Sequence, residues 1–355
     1  MSAPEPTRIA VAGPGRMGVG LAVAFSWAGL DVDLIDLKRR DEPLSSLERA
    51  RGEFGEHLDL LASLSALTES DRETMRERLH LHPAGESAAG ALAHARVVVE
   101  AVPERLEAKR EAFALISESA PPDALLASTT SSFLVDALAG FVTHPERFLN
   151  THWLNPAYLM PLVEVSPGEQ TSESTHAAML ELLRRAGKAP VTCAASPGYI
   201  VPRLQGLVMN EAARMWEEGV ASADDLDTAA RLGFGLRFSV LGPIEFIDWG
   251  GVDTLLYTSR YLTRELGSER FDSPQVVADH VDRGATGMDS GQGLRDFSTL
   301  DGRDLRRRRT AELIALLRHL DMLPGQGERS PQRISSPPLT SSVAPVTKPA
   351  DGEHR

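Results

Sequence analysis

His152 and Glu164 stand twelve positions apart in THWLNPAYLMPLVEV (151–165), a segment with no other side chain that carries or changes charge near neutral pH. An unperturbed imidazole titrates at about 6.5, so it can take or give a proton under physiological conditions. A carboxylate on its second ring nitrogen fixes the tautomer and stabilises the imidazolium. Asn155, Pro156 and Pro161 predict a turn that folds Glu164 back toward His152. The spacing equally allows a core histidine satisfied by a backbone carbonyl, with the glutamate facing solvent.

A second set of residues suggests what such a proton acceptor would serve. GPGRMG places Gly13, Gly15 and Gly18 in a G-x-G-x-x-G pattern directly after the strand-like RIAVAG (8–13), with Arg16 and Met17 opening an apolar helix to Gly29. The pattern needs a tight turn at its first glycine, close backbone approach to a pyrophosphate at the second, and helix–strand packing at the third. The helix N-terminus then offers N–H groups to the pyrophosphate. DVDLID (31–36) ends a second strand on Asp36, where an acidic residue can accept from a ribose diol. Asp36 favours NAD over NADP, whereas Lys38, Arg39 and Arg40 directly after it could meet a 2′-phosphate. Hydride transfer from an alcohol to NAD leaves a proton on oxygen, which His152 is suited to take.

The elements around these residues alternate. ARVVVEAV (95–102), ALLAST (124–129), FLNTHWL (148–154), PLVEV (161–165) and APVTC (189–193) read as further strands with helices between most of them. Residues 43–80 read as an excursion of two charged amphipathic helices. Alternation of this kind predicts a mainly parallel sheet covered by helices. After SPG (196–198) only helical patterns follow, over 199–218, 223–233, 244–266 and 306–320. The predicted organisation is an α/β domain over 1–195 carrying His152 and Glu164, an all-helical domain over 196–323, and a disordered Pro/Ser-rich tail over 324–355.

Bulk composition excludes several classes. The chain has 355 residues, 42% of them hydrophobic, and a formal net charge of −13, which argues against nucleic acid as a partner. Of its four lysines, none lies between Lys188 and Lys348. The single cysteine, Cys193, excludes an intramolecular disulfide and a thiolate metal cluster, and no metal site is expected. No run approaches the roughly 18 apolar residues of a membrane span. No signal peptide is visible at the N-terminus, so a cytoplasmic location is expected. The run RRRRT (306–310) reads as a solvated helix face.

Motif by motif, the order of these segments resembles the 3-hydroxyacyl-CoA (3-hydroxybutyryl-CoA) dehydrogenase family from about residue 8 to 265. GPGRMG and Asp36 resemble its NAD fingerprint, and VVVEAVPERLEAK (97–109) its next strand and helix. STTSS (128–132), THWLNP, LVEV and SPGYIVPRL resemble further family segments, as does GFGLRFSVLGPIEFIDWGGVDT. The resemblance implies a Rossmann-type doubly wound sheet domain followed by an all-helical dimerising domain, and NAD as cofactor. It implies that Glu104 and Lys109 contact the cofactor. His152 would be the acid/base and Glu164 its orienting partner. Ser131 would contact substrate oxygen and nicotinamide, and Asn155 would place the acyl portion. A homodimer is implied, with Leu204, Leu207, Val208, Met215 and Trp216 as candidate interface residues or, on the same spacing, an ordinary core stripe.

The sequence departs from the family in three places. Pro202 stands where the family carries an asparagine facing the catalytic site, and proline supplies neither a side-chain donor nor an N–H. The excursion 43–80 has no lysine for a CoA arm, and GATGMDSGQGLRDF (284–297) lacks the basic residues of the corresponding family segment. Two substrate readings follow: a 3-hydroxyacyl thioester, CoA- or carrier-bound, as in fatty acid metabolism, or a free 3-hydroxy acid of the gulonate or carnitine dehydrogenase kind. A non-catalytic NAD-binding protein is the third reading. A dehydrogenase of the 6-phosphogluconate and 3-hydroxyisobutyrate type is disfavoured, because no lysine is available in the linking helix.

Overall fold

A computed structural model describes residues 8–42, 44–299 and 301–323; the tail expected over 324–355 lies outside the described residues. The chain divides into two compact units, one up to Glu211 and one from Ala212. Among the described residues, the first unit holds one eight-stranded sheet: β1 (Arg8–Ala12), β2 (Asp31–Ile35), β3 (Leu79–His82), β4 (Val97–Glu100), β5 (Leu125–Ser128), β6 (Phe148–Trp153), β7 (Leu162–Pro167) and β8 (Ala189–Thr192). Their order across the sheet is β3-β2-β1-β4-β5-β6-β7-β8. All pairs are parallel except β6 with β7, which is antiparallel. The helices of this unit are α1 (Arg16–Trp27), α2 (Ser45–Ser63), α3 (Glu69–Glu77), α4 (Glu86–Ala93), α5 (Leu106–Ser119), α6 (Val135–Ala139), α7 (Glu173–Arg185) and the start of α8 (Val201–Glu217).

The runs of consecutive apolar residues in β1, β4 and β5 arise because both faces of a parallel sheet are covered. Ile9, Val11, Val97, Val99, Leu125 and Ala127 point into one core with α1, α2 and α7. Their neighbours Ala10, Ala12, Val98 and Leu126 point into a second core with α4, α5 and α6. This is the doubly wound α/β architecture expected. Strand order reverses between β1 and β4, and ligands of such sheets bind in the crevice beyond the carboxyl ends there.

Three features differ from expectation. The excursion 43–80 holds two helices, but its end is β3, whose alternating LHLH is half-buried and pairs with β2 in the register Val32↔Leu79. A four-residue edge strand is too short to show a period against the helical pattern before it. The sheet ends at Thr192, near the boundary expected at 195, yet the compact unit continues to Glu211, because the start of α8 is hydrogen-bonded into the sheet domain. The helix read over 244–266 is two helices, broken where Gly251 adopts φ +100°.

The second unit is helical, with α9 (Ala223–Ala229), a π-helical continuation over Ala230–Gly235 into α10 (Leu236–Phe238), then α11 (Pro243–Gly250), α12 (Val252–Leu266), α13 (Gln275–Asp282) and α14 (Gly302–His319). Its buried apolar cluster is small, centred on Val252, Leu256 and Val277. Polar ties supplement it. Asp248 accepts from the N–H groups of Leu294 and Arg295, and a side chain at Gly287 or Gly293 would strike Asp248. The run RRRRT is partly committed here: Arg309 forks onto the buried Glu245 at 2.7 and 3.1 Å, and Arg306 pairs with Asp289 at 2.7 Å.

Candidate active site

The turn after β1 has the form its glycines predict. Gly13 adopts φ +126°, and a Cβ there would lie 2.5 Å from the carbonyl oxygen of Ala101, which follows β4. A Cβ on Gly18 would overlap the Gly13 carbonyl, so α1 packs against the strand only with glycine there. Gly15 is different: a Cβ there meets no protein atom within 4 Å. No protein neighbour demands that glycine, which leaves the exposed backbone at the head of α1 open to a pyrophosphate. Arg16 is exposed on the first turn and Met17 is half-buried.

Asp36 follows β2 and is buried. Its Oδ1 accepts from Lys38 N at 3.0 Å, and its Oδ2 from Arg40 Nε at 2.6 Å and from the Ser46 hydroxyl. Burial alone would push this carboxyl up, but these donors outweigh it and hold it below the usual aspartate range. Arg40, a candidate for a cofactor phosphate, is thus engaged by Asp36. Ser46, on α2, carried no signal in the sequence.

Glu104 and Lys109 belong to a buried network at the ends of β4 and β5. The Lys109 ammonium is fully buried and lies 3.0 Å from both oxygens of Glu100 and 3.2 Å from Glu104. Glu100 also accepts from the Ser128 hydroxyl at 2.5 Å and from Val102 N at 2.7 Å. Glu104 gathers the STTSS loop: one oxygen accepts from Ser131 N and Ser132 N, both at 3.1 Å, from the Ser132 hydroxyl at 2.8 Å, and from the Thr130 hydroxyl. Burial pushes Glu104 up, but the Thr130 hydroxyl, Lys109 and Ser132 reverse this and hold it low. Ser131, with its N–H on Glu104, is exposed.

The histidine and glutamate meet. His152 and Glu164 are direct cross-strand partners in the antiparallel β6–β7 pair, and His152 Nδ1 lies 2.6 Å from Glu164 Oε2. A carboxylate only accepts, so Nδ1 carries the hydrogen. The other Glu164 oxygen accepts from Ile200 N at 2.8 Å and Val201 N at 2.9 Å, the residue before α8 and the first residue of α8. Both groups are buried. Pro202 occupies the first turn of α8 just beyond these donors, where its missing N–H breaks no helical bond. The Tyr199 ring stacks on His152, with centroids 4.8 Å apart and planes inclined by 15°.

Asn155 precedes a cis bond to Pro156 and is exposed on the wall of a 250 Å³ cavity that also touches Arg16, His57 and Tyr158. Tyr158 and His57 are hydrogen-bonded at 3.1 Å. Neither residue carried a signal in the sequence, since the contact joins α2 to the turn after β6.

The family described as "3-hydroxyacyl-CoA dehydrogenase, NAD binding domain" matches residues 8–196, and "3-hydroxyacyl-CoA dehydrogenase, C-terminal domain" matches 198–296. This chain belongs to the 3-hydroxyacyl-CoA dehydrogenase family. Its cofactor is NAD, which the open Gly15 turn and the buried Asp36 carboxylate fit, and its chemistry is that of an oxidoreductase. The chain is 30% identical, over 88% of its length and 98% of the relative, to a 5-formyl-3-hydroxy-2-methylpyridine 4-carboxylate 5-dehydrogenase from Mesorhizobium japonicum. It is 32% identical, over 82% of its length and 100% of the relative, to a probable 3-hydroxybutyryl-CoA dehydrogenase from Deinococcus radiodurans. Among solved structures it resembles a 3-hydroxyacyl-CoA dehydrogenase from Archaeoglobus fulgidus, with a TM-score of 0.71 and 30% identity over 89% of this chain and all of that one. Within the described residues, no helix is long and apolar enough to cross a membrane.

Proposed function

We propose that this protein interconverts a 3-hydroxyacyl thioester and its 3-oxoacyl form, with His152 and Glu164 as the acid/base pair. The observation that carries the reading is the 2.6 Å contact between His152 Nδ1 and a buried carboxylate. NAD supplies the hydride acceptor, or in its reduced form the donor. With Nδ1–H given to Glu164, His152 presents the Nε2 lone pair, which takes the hydroxyl proton during oxidation and returns it during reduction. Glu164 fixes that tautomer and stabilises the imidazolium, as the carboxylate of a catalytic triad does. Ser131 bonds the substrate oxygen, and Asn155 places the acyl portion. Gly13, Gly15, Arg16, Met17 and Gly18 cradle the cofactor's pyrophosphate, and Asp36 its ribose. Glu104, tethered by Lys109, shapes the 130–132 loop beside it. The exposed Leu204, Leu207, Val208 and Trp216 on α8, together with Met215, form the contact of a homodimer, checked by measuring the mass in solution of the native chain and of Leu207→Glu.

A second reading keeps the chemistry and changes the substrate to a free hydroxy acid. The cavity beside Asn155 favours it: 250 Å³ is below the usual range for drug-sized ligands, and Arg16 and His57 line it. The pyridine-carboxylate name of the Mesorhizobium relative points the same way. The test is NADH oxidation with acetoacetyl-CoA against free acetoacetate and aromatic hydroxy- or oxo-acids, with His152→Ala as control. Turnover of the thioester alone, reduced about 10²–10⁴-fold in His152→Ala, is the expected result. Turnover of a free acid alone would move the protein to the second reading. NADH binding with no turnover of any substrate would support a non-catalytic role.

A further inference from the structure

Tyr199 is the residue the reaction scheme above leaves unused. It lies on SPGYI, between β8 and α8, and adopts φ +44° immediately after Gly198 at φ +78°. A bulky residue in the left-handed region is an outlier that persists only where its surroundings hold it there. Three sets of contacts do so, and two of them reach the acid/base pair. The ring is buried and lies nearly parallel to the His152 imidazole at 4.8 Å, within the range of offset stacking. The hydroxyl donates to the Thr130 carbonyl at 2.9 Å and accepts from Asn150 Nδ2 at 3.2 Å. The next two residues, Ile200 and Val201, give their N–H groups to Glu164. Burial pushes the phenol up, so the hydroxyl remains a donor at all physiological pH values.

The geometry is that of a clamp. The edge of the imidazole is held by Glu164 from β7, and its face is covered by a ring whose far end is anchored to the carbonyl of Thr130, beside Ser131. Side-chain rotation of His152 about its own bonds must displace the buried ring. We infer that Tyr199 is a positioning residue: its ring holds the His152 imidazole in the orientation that aims Nε2 at the substrate. The inference rests on the acid/base reading of His152 and Glu164, since a positioned imidazole affects rate only if it moves the proton.

Two full-length variants test it. Tyr199→Phe keeps the ring and loses the hydroxyl bonds. Tyr199→Asn removes the ring and suits the left-handed backbone, which asparagine tolerates, so the turn is retained. With the substrate that the wild type turns over, kcat of Tyr199→Phe should stay within about threefold, and that of Tyr199→Asn should fall at least about tenfold, while KM and the NADH Kd stay within about threefold. In parallel, the His152 Nδ1–H proton resonance, assigned by its loss in His152→Ala, should persist in Tyr199→Phe and broaden or vanish in Tyr199→Asn. A Tyr199→Asn protein with wild-type kcat and an intact resonance overturns the inference. So does a loss in Tyr199→Phe equal to that in Tyr199→Asn, or a fall in kcat matched by a weakened NADH Kd. If no substrate reacts, the acid/base reading has failed, and the resonance still decides whether Tyr199 holds the imidazole.

Discussion

Glu100 and Glu164 are both fully buried in the sheet of the first unit, and both are bonded to a basic side chain and to backbone N–H. On the proposed reading they do different work, because their partners differ. Glu100 faces the buried ammonium of Lys109, and also accepts from the Ser128 hydroxyl and Val102 N. That arrangement is static and shapes the loop through Glu104. Glu164 faces the imidazole proposed as the acid/base, and its second oxygen accepts from Ile200 N and Val201 N at the start of α8. If the proposed acid/base role holds, two equally buried carboxylates differ in function through the partner each one holds.

The largest expected effect comes from breaking the static pair. Lys109→Met leaves Glu100 buried without its cation and should destabilise the first unit by about 3–5 kcal/mol, read as a fall in the denaturant midpoint. A midpoint within error of wild type would show that Glu100 carries no charge in the folded state. Breaking the proposed acid/base pair should act on rate instead. Glu164→Gln preserves shape but cannot act as an anionic partner, so kcat should fall about 10²-fold, on the order of 2.7 kcal/mol, with a small change in stability. Equal losses of stability in the two variants would erase the distinction drawn between them.

A third carboxylate sharpens the contrast by pH. Asp36 is held below its usual range in the folded protein by Arg40, Ser46 and Lys38. A carboxyl with a depressed folded pKa contributes stability above the unfolded value near 3.8, and that contribution is lost as pH falls through the folded value. Asp36→Asn should therefore lower stability slightly at pH 7 and flatten the loss on acidification below about pH 4, measured by thermal unfolding across that range. An unchanged acid limb would mean that Asp36 is no better stabilised in the fold than in the unfolded chain. This is the smallest of the three effects.

How much of this was legible in the sequence depends on the reach of each contact. The βαβ alternation, the three glycines and the strand end at Asp36 show in the one-dimensional pattern because each rests on local geometry. Between His152 and Glu164 a turn flanked by short apolar runs was legible, and the antiparallel register made them opposite each other. The edge strand β3 was hidden because four half-buried residues give too little periodicity.

The amino-acid sequence by itself therefore determined the helix-covered, mainly parallel sheet and the glycine turn after β1, since those follow from neighbours along the chain, and left the pairing of His152 with Glu164 open. Only the tertiary structure decided what surrounds them. It brought Glu104 to the backbone of 131–132, committed Arg40 to Asp36, set His57 against Tyr158, and laid Tyr199 over His152. Most of these contacts join residues tens of positions apart on different elements. Their partners are chosen by how helices and loops pack at the carboxyl end of the sheet, which no local pattern of residues encodes.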